Sequence, residues 1–132
     1  MTPLGLRLSS VVLGAPDAAA LALFYGRLLG WSPVDVDEGW VKLAPPGGGT
    51  AISVQQESGY LPPVWPSGPG DQQMQAHLDI GVTDLAAAGA LAESLGAVLA
   101  DVQPQDDVRV YLDPAGHPFC LFESRPASDA GE

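Results

Sequence analysis

The sequence predicts an α+β fold of two tandem βαβββ modules. Three observations predict it. First, the chain repeats itself: SSVVLGAPDAAALALFYGRLLGW begins at Ser9 and AHLDIGVTDLAAAGALAESLGA begins at Ala76. Each reads as a strand, an aspartate, an Ala/Leu helix and Leu-Gly. Second, VKLAPPGGGTAISVQ (Val41 to Gln55) returns as VYLDPAGHPFCLFE (Val110 to Glu123). Third, the landmarks recur in one order. Asp17 and Asp84 lie 67 residues apart, Gly30 and Gly96 lie 66, Leu43 and Leu112 lie 69, and Gln55 and Glu123 lie 68. Such fixed-period similarity is the mark of a duplicated unit.

The elements follow in order. A first strand is expected over Ser9–Leu13. Asp17 then offers its carboxylate to the free N–H groups of a helix over Ala18–Leu29. Gly30 supplies the left-handed residue that ends the helix. A faint strand near Val34–Val36 precedes Trp40–Leu43 and Ala51–Gln55, with a turn at Pro45–Gly49 between the last two. The second module repeats this with a strand at Ala76–Val82, a helix between Asp84 and Gly96, a faint strand near Val98–Val102, then Val108–Leu112 and Phe119–Glu123. The turn at Asp113–Pro118 accounts for Asp113 as a turn former and His117 as a turn residue. The modules span about 5–56 and 74–124, with a tail at 125–132. The link, 57–73, is rich in proline and glycine, which disfavours helix and regular strand. Its Tyr60 and Trp65 suit a loop that covers a pocket mouth.

Composition narrows the function. The chain has 132 residues, 46% of them hydrophobic, enough for one domain with a real core. Its 16 acidic residues against 5 basic ones give a net charge of −11. That balance argues against nucleic acid and against anionic membrane surfaces as partners. A single cysteine, Cys120, excludes an intrachain disulfide. No apolar run reaches the roughly 18–20 residues of a membrane span, and no signal peptide is visible, so a cytoplasmic location is expected.

Strand alternation sorts side chains between a face packed on the helices and a face turned elsewhere. Leu78, Ile80 and Val82 oppose His77, Asp79 and Gly81. Cys120 and Phe122 oppose Phe119, Leu121 and Glu123. Cys120 is assigned to the helix side, as an inert buried thiol. Ser10, Gln55, His77 and Glu123 are assigned to the other face, where they converge if the sheets curve around a common space.

The duplication, the H-L-D-I-G-V-T-D-L opening of the second half and the D-P-A-G-H-P-F-C-L-F-E ending resemble the vicinal oxygen chelate superfamily. Its members include glyoxalase I, bleomycin-resistance proteins, fosfomycin-resistance enzymes and extradiol dioxygenases. The sequence is most similar to the glyoxalase-like, bleomycin-resistance-like group, over about residues 5 to 124. The resemblance implies that the modules form a curved sheet around a cavity, with metal ligands on the first and last strands of each module, at Ser10, Gln55, His77 and Glu123. His77 and Glu123 suit one divalent ion, Zn, Ni, Mn or Fe. A serine hydroxyl does not, and Gln55 offers only an amide oxygen. His117 lies six residues from Glu123, too far along a strand to share its ion. Asp79 is placed to orient a bound group.

Two functional readings of the cavity follow, and one apart from it. One is a protein that binds a small organic molecule, aromatic or cationic, in the cavity between modules, using Ser10, Gln55, Trp40, Tyr60, Trp65, Asp79, Tyr111 and Phe119. The other is a lyase, isomerase or dioxygenase with a metal on His77, Glu123 and Gln55, or a metal-free variant with His77 and Glu123 as a hydrogen-bonded acid–base pair. A partner or scaffold role is a third. The resemblance also implies a homodimer, with two arrangements open: a pocket within one chain, or a shared one in which Ser10 and Gln55 of one chain face His77 and Glu123 of the other.

Overall fold

The computed structural model describes residues 3–124; the tail at 125–132 lies outside the described residues. The chain divides into two compact units, Met1–Tyr60 and Leu61–Glu132. The first contains β1 (Ser10–Ala15), α1 (Ala18–Leu29), β2 (Ser32–Asp37), β3 (Trp40–Ala44) and β4 (Ala51–Gln56). The second contains β5 (Leu78–Val82), α2 (Leu85–Ser94), β6 (Val98–Leu99), β7 (Val108–Leu112) and β8 (Pro118–Glu123). Each is a βαβββ module with its own four-stranded mixed sheet, ordered β1-β4-β3-β2 and β5-β8-β7-β6. In each, the first and last strands pair in parallel and the others antiparallel.

The helix starts are built alike. Asp17 Oδ1 accepts from the Ala20 N–H at 3.2 Å, and Asp84 Oδ1 accepts from the Ala87 N–H at 3.0 Å. A second acceptor reaches each first turn from the last strand of the same module. Gln56 Oε1 takes the Ala18 N–H and Glu123 Oε2 takes the Leu85 N–H, both at 3.3 Å. These oxygens satisfy donors that helix geometry leaves unpaired. Gly30, at φ 71°, ends α1 as expected.

In the first module α1 packs on β3 and β4. It buries Leu21, Phe24 and Tyr25, and the sheet contributes Val41, Leu43 and Val54. In the second module α2 is lean, made largely of alanine, because the sheet supplies the bulk. Tyr111 and Phe119, 4% and 0% exposed, stack with ring centroids 5.9 Å apart. The Tyr111 hydroxyl donates to Glu93 Oε2 at 3.1 Å. It also comes so close to Gly89 of α2 that a Cβ there would collide with it. Burial, and then the neighbouring Glu93, raise the Tyr111 pKa above its ordinary value.

These contacts correct the assignment of strand faces. Phe119 and Leu121 are fully buried, whereas Cys120 and Phe122 are half-exposed. Cys120 therefore sits on the face turned away from α2, and Phe119 and Tyr111 belong to the core, on the opposite face from His77. Alternation fixed the two sets correctly, but both are apolar, so hydrophobicity alone could not say which faced the helix.

Other boundaries moved for local reasons. β6 keeps only Val98–Leu99 instead of running to Val102. Beyond it, Ala100 N–H donates to Val110 O, and the Gln103 side chain takes over the ladder. Its Nε2 donates to the carbonyls of Ala100 and Val110, and its Oε1 accepts from the Val110 N–H, each at 2.9 Å. The link has no helix or strand. Its part beyond Leu61 is looped back on itself: Val64 N–H donates to Gln72 O at 2.8 Å, and Gly68 N–H to Asp71 Oδ2 at 2.8 Å. Among the described residues no helix is long and apolar enough to cross a membrane.

Candidate functional site

The second module concentrates the chemistry. The parallel ladder sets Asp79 opposite Cys120, so their side chains share the face turned from α2. His77, just before β5, reaches the same place: its Nε2 lies 3.0 Å from Asp79 Oδ1. One donor atom from each of His77, Asp79 and Cys120 lies within 4.8 Å of the others. The His77 and Asp79 side chains are 38% and 62% exposed, so a ligand can reach both. Burial raises the Cys120 thiol pKa first. The Asp79 charge, and the hydrogen bond the thiol makes to Asp79, add to it.

Two adjoining hollows open beside this cluster. The larger, about 960 Å³, is lined by Asp79, Asp106, Asp107, Phe122 and, at its far end, Glu123. The smaller, about 190 Å³, lies under Trp65, Met74, Val110 and Pro118. His77 and Cys120 line both. Among the described residues no lysine or arginine lines either one. Loop 103–107 forms a wall of each. It is anchored by the Gln103 amide and by Arg109, whose guanidinium donates to Asp106 O at 2.6 Å.

The structure brings some expected site residues together and separates others. His77, Asp79 and Trp65 converge on this face. Glu123 does not join them. It pairs with Val82, so it lies five residues along the parallel strands from His77, roughly 16 Å. Its carboxylate is on the helix side, at the start of α2. The expected His77–Glu123 pair is therefore replaced by His77–Asp79. In the first module Ser10 accepts a hydrogen bond from Ser53 Oγ at 3.1 Å. Gln55 donates to Glu57 Oε1 at 2.6 Å. Trp40 is half-buried opposite Gln55, and the Tyr60 ring lies against Gly14.

The strand registers explain the misplacement. Val11 pairs with Ile52, and Leu78 pairs with Phe119. Both differ by 67, so Glu123 matches Gln56 rather than Gln55, and Cys120 matches Ser53. A one-residue slip in a strand moves a side chain to the opposite face. The constant 67 already shared by Asp17 and Asp84 was the signal that identifies Cys120.

A family model described as a glyoxalase-like domain matches residues 10–122. The chain belongs to the glyoxalase-like domain family. The family and the fold together place it in the vicinal oxygen chelate superfamily. Solved structures share the fold. A glyoxalase/bleomycin resistance protein/dioxygenase family enzyme from Burkholderia phytofirmans PsJN is 18% identical, with a TM-score of 0.67, covering 89% of this chain and 98% of that one. A glyoxalase-related enzyme from Fulvimarina pelagi is 19% identical, with a TM-score of 0.65, covering 89% and 88%. TnmS3, an antibiotic binding protein from Streptomyces sp. CB03234, is 17% identical, with a TM-score of 0.60, covering 94% and 100%. No curated protein matches the chain.

Members of this superfamily commonly hold a divalent metal. The donor set of this glyoxalase-like domain fits one. Imidazole, carboxylate and thiolate are the donor types that bind Zn²⁺, at bond lengths of about 2.0–2.3 Å. Three protein donors leave a coordination position open. A bound ion would supply Lewis acidity at the mouth of the hollows. Cys120 must lose its proton to act as a ligand, so its raised pKa opposes metal uptake at neutral pH.

Proposed function

We propose that this glyoxalase-like domain binds a small organic cation on the open face of its second module. One observation carries the reading: the larger hollow has Asp79, Asp106 and Asp107 along its lining and no lysine or arginine among the described residues. A net charge of −11 adds long-range attraction for cations. The antibiotic binding protein among the structural neighbours is compatible with a binding role on this fold. Small primary amines and their neutral alcohol counterparts, titrated by calorimetry, test it. Amines are expected to bind and alcohols not, with affinity falling as salt rises. Asp79→Asn is expected to weaken the amines about tenfold. Equal affinity for amines and alcohols would refute the reading.

The convergence of His77, Asp79 and Cys120 favours a second reading, a metal-dependent enzyme on the same face. Elemental analysis decides it, after soaking in Zn, Ni, Mn and Fe(II) and desalting. One ion per chain, lost in His77→Ala, supports the metal reading; no stoichiometric ion under any condition rejects it.

A further inference from the structure

We infer that the small hollow under Trp65 is a subsite for one unfused ring, so that the ligand is an amine carrying a single aromatic or cycloalkyl group. The cationic half of this statement rests on the reading above; the ring subsite stands on its own geometry.

The hollow measures about 190 Å³. An apolar cavity of about 150 Å³ suffices to bind benzene and stays dry when empty. At interior packing density about three quarters of a filled space is atoms, so of three fused rings part must extend beyond these walls. The walls suit a ring. Trp65 offers an indole, Met74 a polarisable thioether, and Pro104, Val110 and Pro118 apolar surface.

Three separate parts of the module hold these walls in place. Trp65 lies on the loop that Val64 and Gln72 close, with Gly68 and Asp71 bonded inside it. Pro104 directly follows Gln103, whose amide is bonded on both sides to Val110. Val110 and Pro118 belong to the sheet itself, and Val110 is 5% exposed. A preformed apolar hollow of this kind needs little ordering when a ring enters.

Position supplies the rest of the ligand. His77 and Cys120 line both hollows, so the ring chamber opens directly onto the acidic one. A ring seated under Trp65 therefore carries any short substituent past His77 toward Asp79. An ammonium group there meets carboxylates.

The test uses two kinds of probe on the full chain. Fluorobenzene, followed by ¹⁹F relaxation, reports the ring chamber without any charge. Calorimetry compares methylamine, benzylamine and 9-(aminomethyl)anthracene. Benzylamine is expected to bind at least about tenfold more tightly than methylamine, a modest return for burying one ring. The anthracene amine is expected to lose that advantage. Trp65→Ala, and Met74→Trp, which fills the chamber, should abolish fluorobenzene binding and bring benzylamine down to methylamine. Asp79→Asn should weaken both of those amines equally and leave fluorobenzene unchanged. If benzylamine and methylamine bind alike, and Asp79→Asn still weakens both, the ring subsite is wrong and the cation site stands. If fluorobenzene binds and is lost in both chamber variants, while amines show no preference over alcohols, the subsite stands and the cation site is wrong. If no probe binds, both are wrong.

Discussion

The two modules share one scaffold and carry different chemistry at the same three places. At matched positions the first module has Ser10, Val12 and Ser53, and the second has His77, Asp79 and Cys120. The first set ends in a hydroxyl pair, Ser53 donating to Ser10 at 3.1 Å. The second brings imidazole, carboxylate and thiol within 4.8 Å of one another. Elsewhere the modules agree in detail. Asp17 and Asp84 cap their helices, and Gln56 and Glu123 each take the first helical N–H from the last strand. Positions that kept their residue kind serve the fold. The positions that diverged in chemistry lie on the open strand face.

The largest expected effect breaks the comparison at the divergent positions. His77→Ala or Cys120→Ala should lower Zn²⁺ affinity at least about 100-fold, close to 3 kcal/mol. Glu123→Gln should leave it within a few-fold, and competition with a chromophoric chelator reads both. Zn²⁺ affinity should also rise about tenfold per pH unit between pH 7 and 8, since Cys120 must release a proton whose pKa is raised. Loss of affinity in Glu123→Gln equal to that in His77→Ala would contradict the placement.

Packing gives the next effect. Gly89 occupies the position that Ala22, 4% exposed, holds in the first module. Gly89→Ala should destabilise by about 1–3 kcal/mol, because the Tyr111 hydroxyl must move. Ala22→Gly should cost only about 0.5–1 kcal/mol, the helical penalty of glycine. Urea unfolding compares the two, and the order should not invert.

The shared caps should respond alike. Asp17→Ala and Asp84→Ala should each cost about 1 kcal/mol. The smallest effect is alkaline. The Tyr111 pKa is raised in the fold above the ordinary value of about 10. Its contribution is therefore complete below about pH 10 and is lost as pH climbs through the raised value. The stability gap between wild type and Tyr111→Phe should be flat at neutral pH and shrink above pH 10. A gap that shrinks between pH 6 and 8 would implicate another group.

Much of this was legible in the sequence. Asp17, the Ala/Leu run and Gly30 define α1 residue by residue, since each signal acts within one helical turn. The duplication was legible because its landmarks lie at nearly constant spacing. The site was only half legible. His77 and Asp79 share the face that alternation gives them. Cys120 was hidden because Cys-Phe and Phe-Leu are equally apolar, and only the bulk of Tyr111 against Gly89 decides which pair faces the helix. Glu123 was misread because the landmark spacings drift by a residue or two, and one residue in a strand is a change of face. Gln103 carries no strand signal at all; its role depends on a tertiary contact with Val110.

That glutamine has a consequence for how the molecule behaves in a crowd. A sheet ends in unpaired backbone groups that invite a strand from another chain, the first step of runaway association. With β6 only two residues long, β7 would present such a seam at Val110. The Gln103 amide, shaped like a peptide group, fills both its N–H and its C=O. One side chain thus works as a stopper for an incomplete strand, and it closes β7 to a neighbour at Val110.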